Sequence, residues 1–477
     1  MPASLLRRIT LCLAIASPAV IFRLAGFAPS PVIDLVVFGA AVVAASFLLA
    51  WAAEAARKDI SGALAIAILA LVAVLPEYAV DLYYAFRSGS DPSYEQFAAA
   101  NMTGSNRLLL GFGWPLVVLV ALVVARRAAA RSSAAKPAFL QLRAKSRPEI
   151  GFLAILAVAA FAIPFLGMIP IWFGILLILA FAAHLWRARR VHDDGEEEFA
   201  GAAAHIADLP QRARRVTIAA TFLVAAAVIL AAAEPFATAL VDSGSALGID
   251  SYFLVQWLAP LASEAPEFIV AVLFALRGMG AAAIGTLIAS KINQWSLLVG
   301  SLPVAHFFGG GGTDLALDAR QIEEFVLTAS QTVMGVAIII ALRFHRRTAF
   351  ALAALFAVQF LVAGTTGRWI LSVIQIAIAI VALVIHRKDI VPTLSAPFRR
   401  AAEPDAELSP TEGQAGADAR SSGSTLIHIA SATTIDSSSI ARSDWSPVEA
   451  EIESDPAASS LDRTRRRVPM EMPRSSR

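Results

Sequence analysis

Two prolines, each followed at once by a glutamate, stand deep inside strongly apolar segments of this chain. They are Pro76-Glu77 in ALVAVLPEYAVD and Pro266-Glu267 in APLASEAPEFIVA. A charged side chain at the centre of a membrane-spanning helix costs roughly 2.5–3.5 kcal/mol on insertion scales. A proline has no backbone N–H and frees the carbonyl four residues earlier, here those of Val72 and Ala262. The same unfavourable combination occurring twice points to one ion-binding element present in two copies.

Composition settles the surroundings of those segments. Of 477 residues, 57% are hydrophobic and only 16% charged, which places the chain among polytopic membrane proteins. The single cysteine, Cys12, excludes an intramolecular disulfide and any multi-cysteine metal site. There is no paired-histidine motif, no Gly-x-Ser-x-Gly elbow and no intramembrane aspartate pair, so an enzyme is not expected. Nor is a cofactor. The expected partners are membrane lipid and small inorganic cations rather than nucleic acid, with the oligomeric state left open.

Apolar stretches of span length lie near 9–28, 31–56, 60–87, 95–125, 149–167, 169–186, 216–241, 250–276, 279–308, 323–343, 348–364 and 367–386. The expected fold is therefore all-α, with about 10–12 transmembrane helices. Pro164, Gly167 and Pro170 mark a hairpin turn between two of them. With the N-terminus inside, Arg57-Lys58, the loops Arg126 to Arg147 and Arg187 to Arg215, Arg277, Arg343/Arg346/Arg347 and Arg387-Lys388 all fall on the inner side. Acidic or neutral loops such as VDSGSALGID and GGGGTDLALD alternate with them, and Arg87 and Arg368 are the exceptions. This regular alternation predicts a multi-pass plasma-membrane protein with both termini cytoplasmic. The first segment reads either as an extra helix or as a signal peptide.

The expected organisation is an N-terminal hydrophobic segment (1–30), a first transmembrane repeat (31–190), a cytoplasmic connecting loop (191–215), a second repeat plus one extra helix (216–388) and a disordered cytoplasmic tail (389–477). The two repeats carry the same order of features. Glu54 and Glu234 stand near the ends of matching spans. A Pro-Glu span follows each, and then a span with a polar start, FAAANMTGSNRLLLG or AIGTLIASKINQWSLLVG. The charge pattern gives the two copies opposite orientations. Inverted repeats of about five helices each are the build of many secondary transporters, whose binding site lies at the midplane between the repeats.

On these residues the chain resembles the cation/calcium exchanger superfamily, which includes sodium/calcium and proton/calcium antiporters. That family carries two repeats, each with a Gly-Thr-Ser-Leu-Pro-Glu-like and a Gly-Asn-x-x-Gly-Ser-Asn-like stretch. Here they read VAVLPE with ANMTGSN, and LASEAPE with GTLIASK, over roughly residues 31–365. The resemblance implies that Glu77 and Glu267 coordinate the transported cation, and that Asn101 and Thr286 occupy the family's Asn or Asp position. It also puts Ser263 and Glu264 at the family's Thr and Ser places, where the first repeat has Ala73 and Val74.

The residues themselves support a hard-cation site. Calcium takes six to eight oxygen ligands, and two carboxylates match its charge. Asn101 and Ser105, and likewise Thr286 and Ser290, are four apart and share a helix face; close helix packing is the other reading of such small residues. Glu264 lies one turn from Glu267. Asp81 lies one turn beyond Glu77, where it either modulates the site's charge or pairs with Arg87 near the interface. Lys291 stands where the family has Asn: it either neutralises a site carboxylate or pairs elsewhere. Glu54 and Glu234 either line an ion path or cap the interface. His306 reads as structural, and Gly309 to Gly312 as a flexible loop.

The leading expectation is a secondary active antiporter that exchanges calcium, or another cation, for sodium or protons. A monovalent cation/proton antiporter on the same fold, suggested by Lys291 and Thr286, is the alternative.

Overall fold

The computed structural model describes residues 2–56, 58–59, 75–131, 135–188, 199, 201–362 and 364–399, with Pro266 through its backbone alone. All belong to one compact unit, Met1–Glu403; a second, Pro404–Arg477, lies outside them. So do Val72, Ala73 and Val74 and most of the expected tail.

The first half contains α1 (Ala3–Ala25), α2 (Pro31–Ala56), α3 (Leu75–Ser88), α4 (Ala100–Leu108), α5 (Trp114–Arg131), α6 (Arg147–Ala159) and α7 (Ile171–Ala188). The second contains α8 (Gln211–Leu247), α9 (Ser251–Leu276), α10 (Gly280–Asn293), α11 (Val299–Phe308), α12 (Ala319–Ile339), α13 (Arg346–Leu361) and α14 (Thr365–Ile385). Among the described residues, eight helical stretches are long and apolar enough to cross a membrane. A ninth arises if Ser251–Ala265 and Glu267–Leu276, bent by 52°, count as one span. That bend falls at Pro266, where the helix lacks an N–H donor.

Three further expected spans fall outside that set. The span near 60–87 is described only from Leu75 onward. The one near 279–308 is α10 and α11 joined through a π turn, Gln294–Leu298. The one near 348–364 is the 16-residue α13. The hairpin turn is as read: Gly167 ends the preceding helix in the left-handed region (φ 68°), which glycine adopts without steric cost.

Four short strands show how the halves are related. β1 (Phe139–Gln141) lies between α5 and α6 and β2 (Met168–Pro170) between α6 and α7. β3 (Asp314–Ala316) lies between α11 and α12 and β4 (Arg343–His345) between α12 and α13. β1 pairs antiparallel with β4, and β2 with β3. Each ribbon thus joins the third loop of one repeat to the fourth loop of the other. A two-fold axis that exchanges the repeats also exchanges the ribbons, as the opposite orientations of the halves require.

A second internal match is a π turn in the same place of each repeat, Leu109–Gly113 after α4 and Gln294–Leu298 after α10. Counting back from Leu109 and Gln294, Asn106 matches Lys291, Ser105 matches Ser290 and Asn101 matches Thr286.

The core falls into three apolar clusters. α2 and α8 pack along each other through Ala41, Ala45, Leu48, Ala225, Ile229 and Ala232. Small side chains let their backbones approach closely, the packing that membrane helices rely on. α1 lies against this pair, burying Cys12, Ala16 and Ala19, and its Arg23 bonds Glu234 of α8 at 2.7 Å. Glu234 therefore ends in an ion pair that is half exposed. The larger cluster holds the remaining helices around Trp114, Trp295, Phe325 and Phe344. Beyond α14 the chain differs from the expectation of disorder from 389 onward. Arg387–Ser395 forms a helix whose Thr393 accepts from Arg147 at 2.9 Å, with Asp389 in an ion pair to the same guanidinium.

Gly104 shows how tightly α4 meets α9. A Cβ there would sit 1.7 Å from the carbonyl oxygen of Gln256, a backbone atom that cannot swing aside. Overpacking of this kind costs about 1–3 kcal/mol. Gly104→Ala is expected to lower the thermal midpoint in detergent clearly. Gly285→Ala, in α10 with open space around it, is expected to leave the midpoint unchanged or raise it.

Candidate functional site

The bend in α9 and the start of α3 bring the two Pro-Glu elements to the same level between the repeats. Glu77 lies in the first turns of α3 and is 3% exposed; Glu264, just before the α9 break, is 2% exposed. The side-chain amide of Gln294 joins them. Its Nε2 donates to Glu77 Oε1 at 3.1 Å and to Glu264 Oε1 at 2.5 Å. Glu267, on the far side of the break, accepts from Ser290 Oγ at 2.9 Å. The three carboxylates lie within electrostatic reach of one another. The cluster therefore draws on α3, α9, α10 and the second π turn, and so on both repeats.

Many oxygens here have no partner among the described residues. Glu264 Oε2, Gln294 Oε1, Ser105 Oγ, both oxygens of Asp81 and both polar atoms of Asn101 are buried without a hydrogen bond. Ser105 lies beside Glu77 and Glu264, and Asn101 beside Asp81, none in hydrogen-bonding geometry. Buried polar groups are almost always satisfied, and an unsatisfied one costs about 1–3 kcal/mol. So many together mark a place built to receive something else, and oxygen atoms of this kind suit a hard cation. Among the described residues no three His, Cys, Asp or Glu side chains converge on one metal position. A cation would be shared between carboxylate, amide and hydroxyl oxygens.

The other expected site residues divide. Asn101 and Ser105 are fully buried next to the carboxylates. Asp81 is also fully buried, while Arg87 lies over the Tyr94 ring at 5.4 Å. Asp81 thus stands with the cluster and away from the interface. Ser263 is buried, but its hydroxyl donates back to Ala259 O of its own helix at 3.1 Å. Thr286 is exposed on α10 and donates to Ala283 O at 2.8 Å. Lys291 is buried, and its ammonium is held by Asn106. His306 packs as a structural residue, its Nδ1 at 2.8 Å from Ser88 Oγ.

Gln294 escaped the sequence reading, as did Asn293, whose Oδ1 accepts from Tyr78 OH at 3.0 Å. The available cue was two adjacent amides inside an otherwise apolar span. Both stand at the entry to the π turn, Asn293 closing α10 and Gln294 opening the turn, a backbone irregularity frequent at functional sites.

Comparison with known proteins agrees with this geometry. The sequence model of the family described as sodium/calcium exchanger protein matches residues 30–188 and 217–365. The chain is similar to the crystal structure of the H+/Ca2+ exchanger CAX, with 36% identity and a TM-score of 0.77 over 83% of this chain and 98% of that one. The structure of native YfkE shares the fold, at 17% identity and a TM-score of 0.54, covering 74% of this chain and 98% of the other. Comparison with curated proteins gives no match. With two matched segments that together span more than half its length, each holding one Pro-Glu element, the chain belongs to the sodium/calcium exchanger family.

Proposed function

We propose that the protein is a secondary active antiporter of the plasma membrane that exchanges calcium for protons or sodium. One observation carries the reading: carboxylates from both inverted repeats, the buried Glu77 and Glu264 and the partly buried Glu267, gather around Gln294 and Ser290 with unsatisfied oxygens between them. A cation there is dehydrated by oxygens of both halves. A relative motion of the halves then exposes it to one side or the other without moving it far, which is alternating access. Similarity to a H+/Ca2+ exchanger favours calcium as one substrate and the proton as the counter-ion.

Asn101, Ser105 and Asp81 complete the oxygen set on the first-repeat side, and Ser290 does so on the second. Ser263 and Thr286 join it through a change of rotamer from their present helix bonds. The sliding element is the α2–α8 pair with α1 attached. The basic loops lie in the cytoplasm with both termini, following the positive-inside pattern.

The test is purified protein in proteoliposomes, with calcium, sodium, potassium and pH varied one at a time. Calcium uptake driven by an imposed proton or sodium gradient is expected. Uptake no faster than in empty vesicles under every gradient would refute the assignment.

A further inference from the structure

Lys291 is the residue that most clearly breaks the repeat symmetry. Its matching position in the first repeat is Asn106, and the two side chains meet. Lys291 Nζ donates to Asn106 Oδ1 at 2.8 Å and to Asn106 O at 2.9 Å. Asn106 is fixed for this role, because its Nδ2 turns back to Met102 O at 3.3 Å and Met102 Sδ at 3.2 Å. Its oxygen thus faces the ammonium. Lys291 is 1% exposed.

A buried ammonium normally has an ion-pair partner. Arg107, the neighbour of Asn106, follows that rule: its guanidinium meets Glu324 at 2.5 Å. Among the described residues, Lys291 has no carboxylate at ion-pair distance. Its acceptors are two neutral oxygens of its repeat counterpart, and the acid within electrostatic reach of it is Glu264, whose Oε2 is unsatisfied. Neutral carbonyl oxygens around a monovalent positive charge, close to a carboxylate cluster, describe a cation position. Here the cation is covalently attached to the chain.

We propose that the Lys291 ammonium is a tethered monovalent cation that fills, at the axis between the repeats, an oxygen-lined position otherwise open to a mobile alkali or ammonium ion. This rests on the antiporter reading and adds to it a reason for selectivity. Because the position is permanently filled, the carboxylates have only the transported ions left to bind, and monovalent salts have no independent access to the axis. Truncation of the side chain leaves a polar space lined by Asn106 O and Oδ1, which a free cation of similar size enters.

The experiment is isotopic calcium self-exchange in proteoliposomes, with the same salt on both sides so that no counter-ion gradient is needed. Wild type, Lys291→Ala and Lys291→Met are compared in choline, potassium and methylammonium chloride. The wild type is expected to exchange at the same rate in all three. Lys291→Ala is expected to fall at least tenfold in choline and to recover at least fivefold in potassium or methylammonium. Lys291→Met, whose chain fills the space without charge, is expected to stay slow throughout. A Lys291→Ala protein no more sensitive to these salts than wild type overturns the proposal, as does equal recovery of Lys291→Met. Should Lys291→Ala fail to elute as a single species, Lys291→Ser, which also opens the space, decides in the same three salts. It is expected to exchange at least fivefold faster in potassium or methylammonium than in choline, and no difference between the salts overturns the proposal. Absence of calcium exchange in the wild type refutes the antiporter reading instead, so the two failures are distinguishable.

Discussion

Glu77→Gln and Glu267→Gln are each expected to cut gradient-driven calcium uptake by about two to three powers of ten. Glutamine keeps the shape of the side chain and one carbonyl oxygen. It can still accept from Gln294 at position 77 or from Ser290 at position 267, so the fold is kept and only a negative charge is lost. Removing one partner from a buried charge pair costs about 3–5 kcal/mol, and every 1.4 kcal/mol is about a tenfold change in affinity. The two variants should fail alike, because the carboxylates come from matching helices of the two repeats. The measurement is uptake per correctly inserted protein, beside a thermal midpoint that stays near that of wild type. Full activity in either variant would show that the cation does not use these carboxylates.

Arg107→Met is expected to be the most destabilising single change in the first repeat. Arg107 and Glu324 are 2% and 1% exposed, with Nη2 and Oε2 at 2.5 Å. The guanidinium also donates to Gln359 Oε1 at 3.2 Å and Thr103 O at 3.3 Å, and lies 4.9 Å from the Trp257 ring. It thereby ties α4 to α9, α12 and α13. Loss of the arginine leaves Glu324 with Arg368 at 3.7 Å as its remaining ion-pair contact, and stranding a buried charge costs about 3–5 kcal/mol. The double variant Arg107→Met/Glu324→Leu is expected to recover much of that, since a buried ion pair replaced by packed apolar side chains is often neutral or better. Thermal unfolding in detergent reads both. A single variant as stable as wild type would mean that the pair contributes nothing to holding the second half against α4.

The transmembrane class, the inverted duplication and the central carboxylates were legible in the residue order, because each follows from local chemistry. Apolar length sets the spans, and the repeated Pro-Glu pairs mark the places where a helix carries unusual costs. Helix-face arithmetic likewise placed Asn101 with Ser105 and Thr286 with Ser290. What that arithmetic does not contain is the covering of each face. α4 is closed over by the α9 backbone at Gly104, so Asn101 is sealed in, while α10 stands open at Gly285 and Thr286 is exposed.

The sequence by itself therefore determined the architecture and the acidic centre. Only the tertiary structure decided which polar residues share it. Gln294 became the bridge between Glu77 and Glu264, Asp81 was drawn to the cluster and away from Arg87, and Lys291 was turned onto Asn106 instead of a carboxylate. The physical reason is the same in each case. The cross-repeat contacts join residues 217 and 185 positions apart, and all of them depend on how the two repeats are brought face to face.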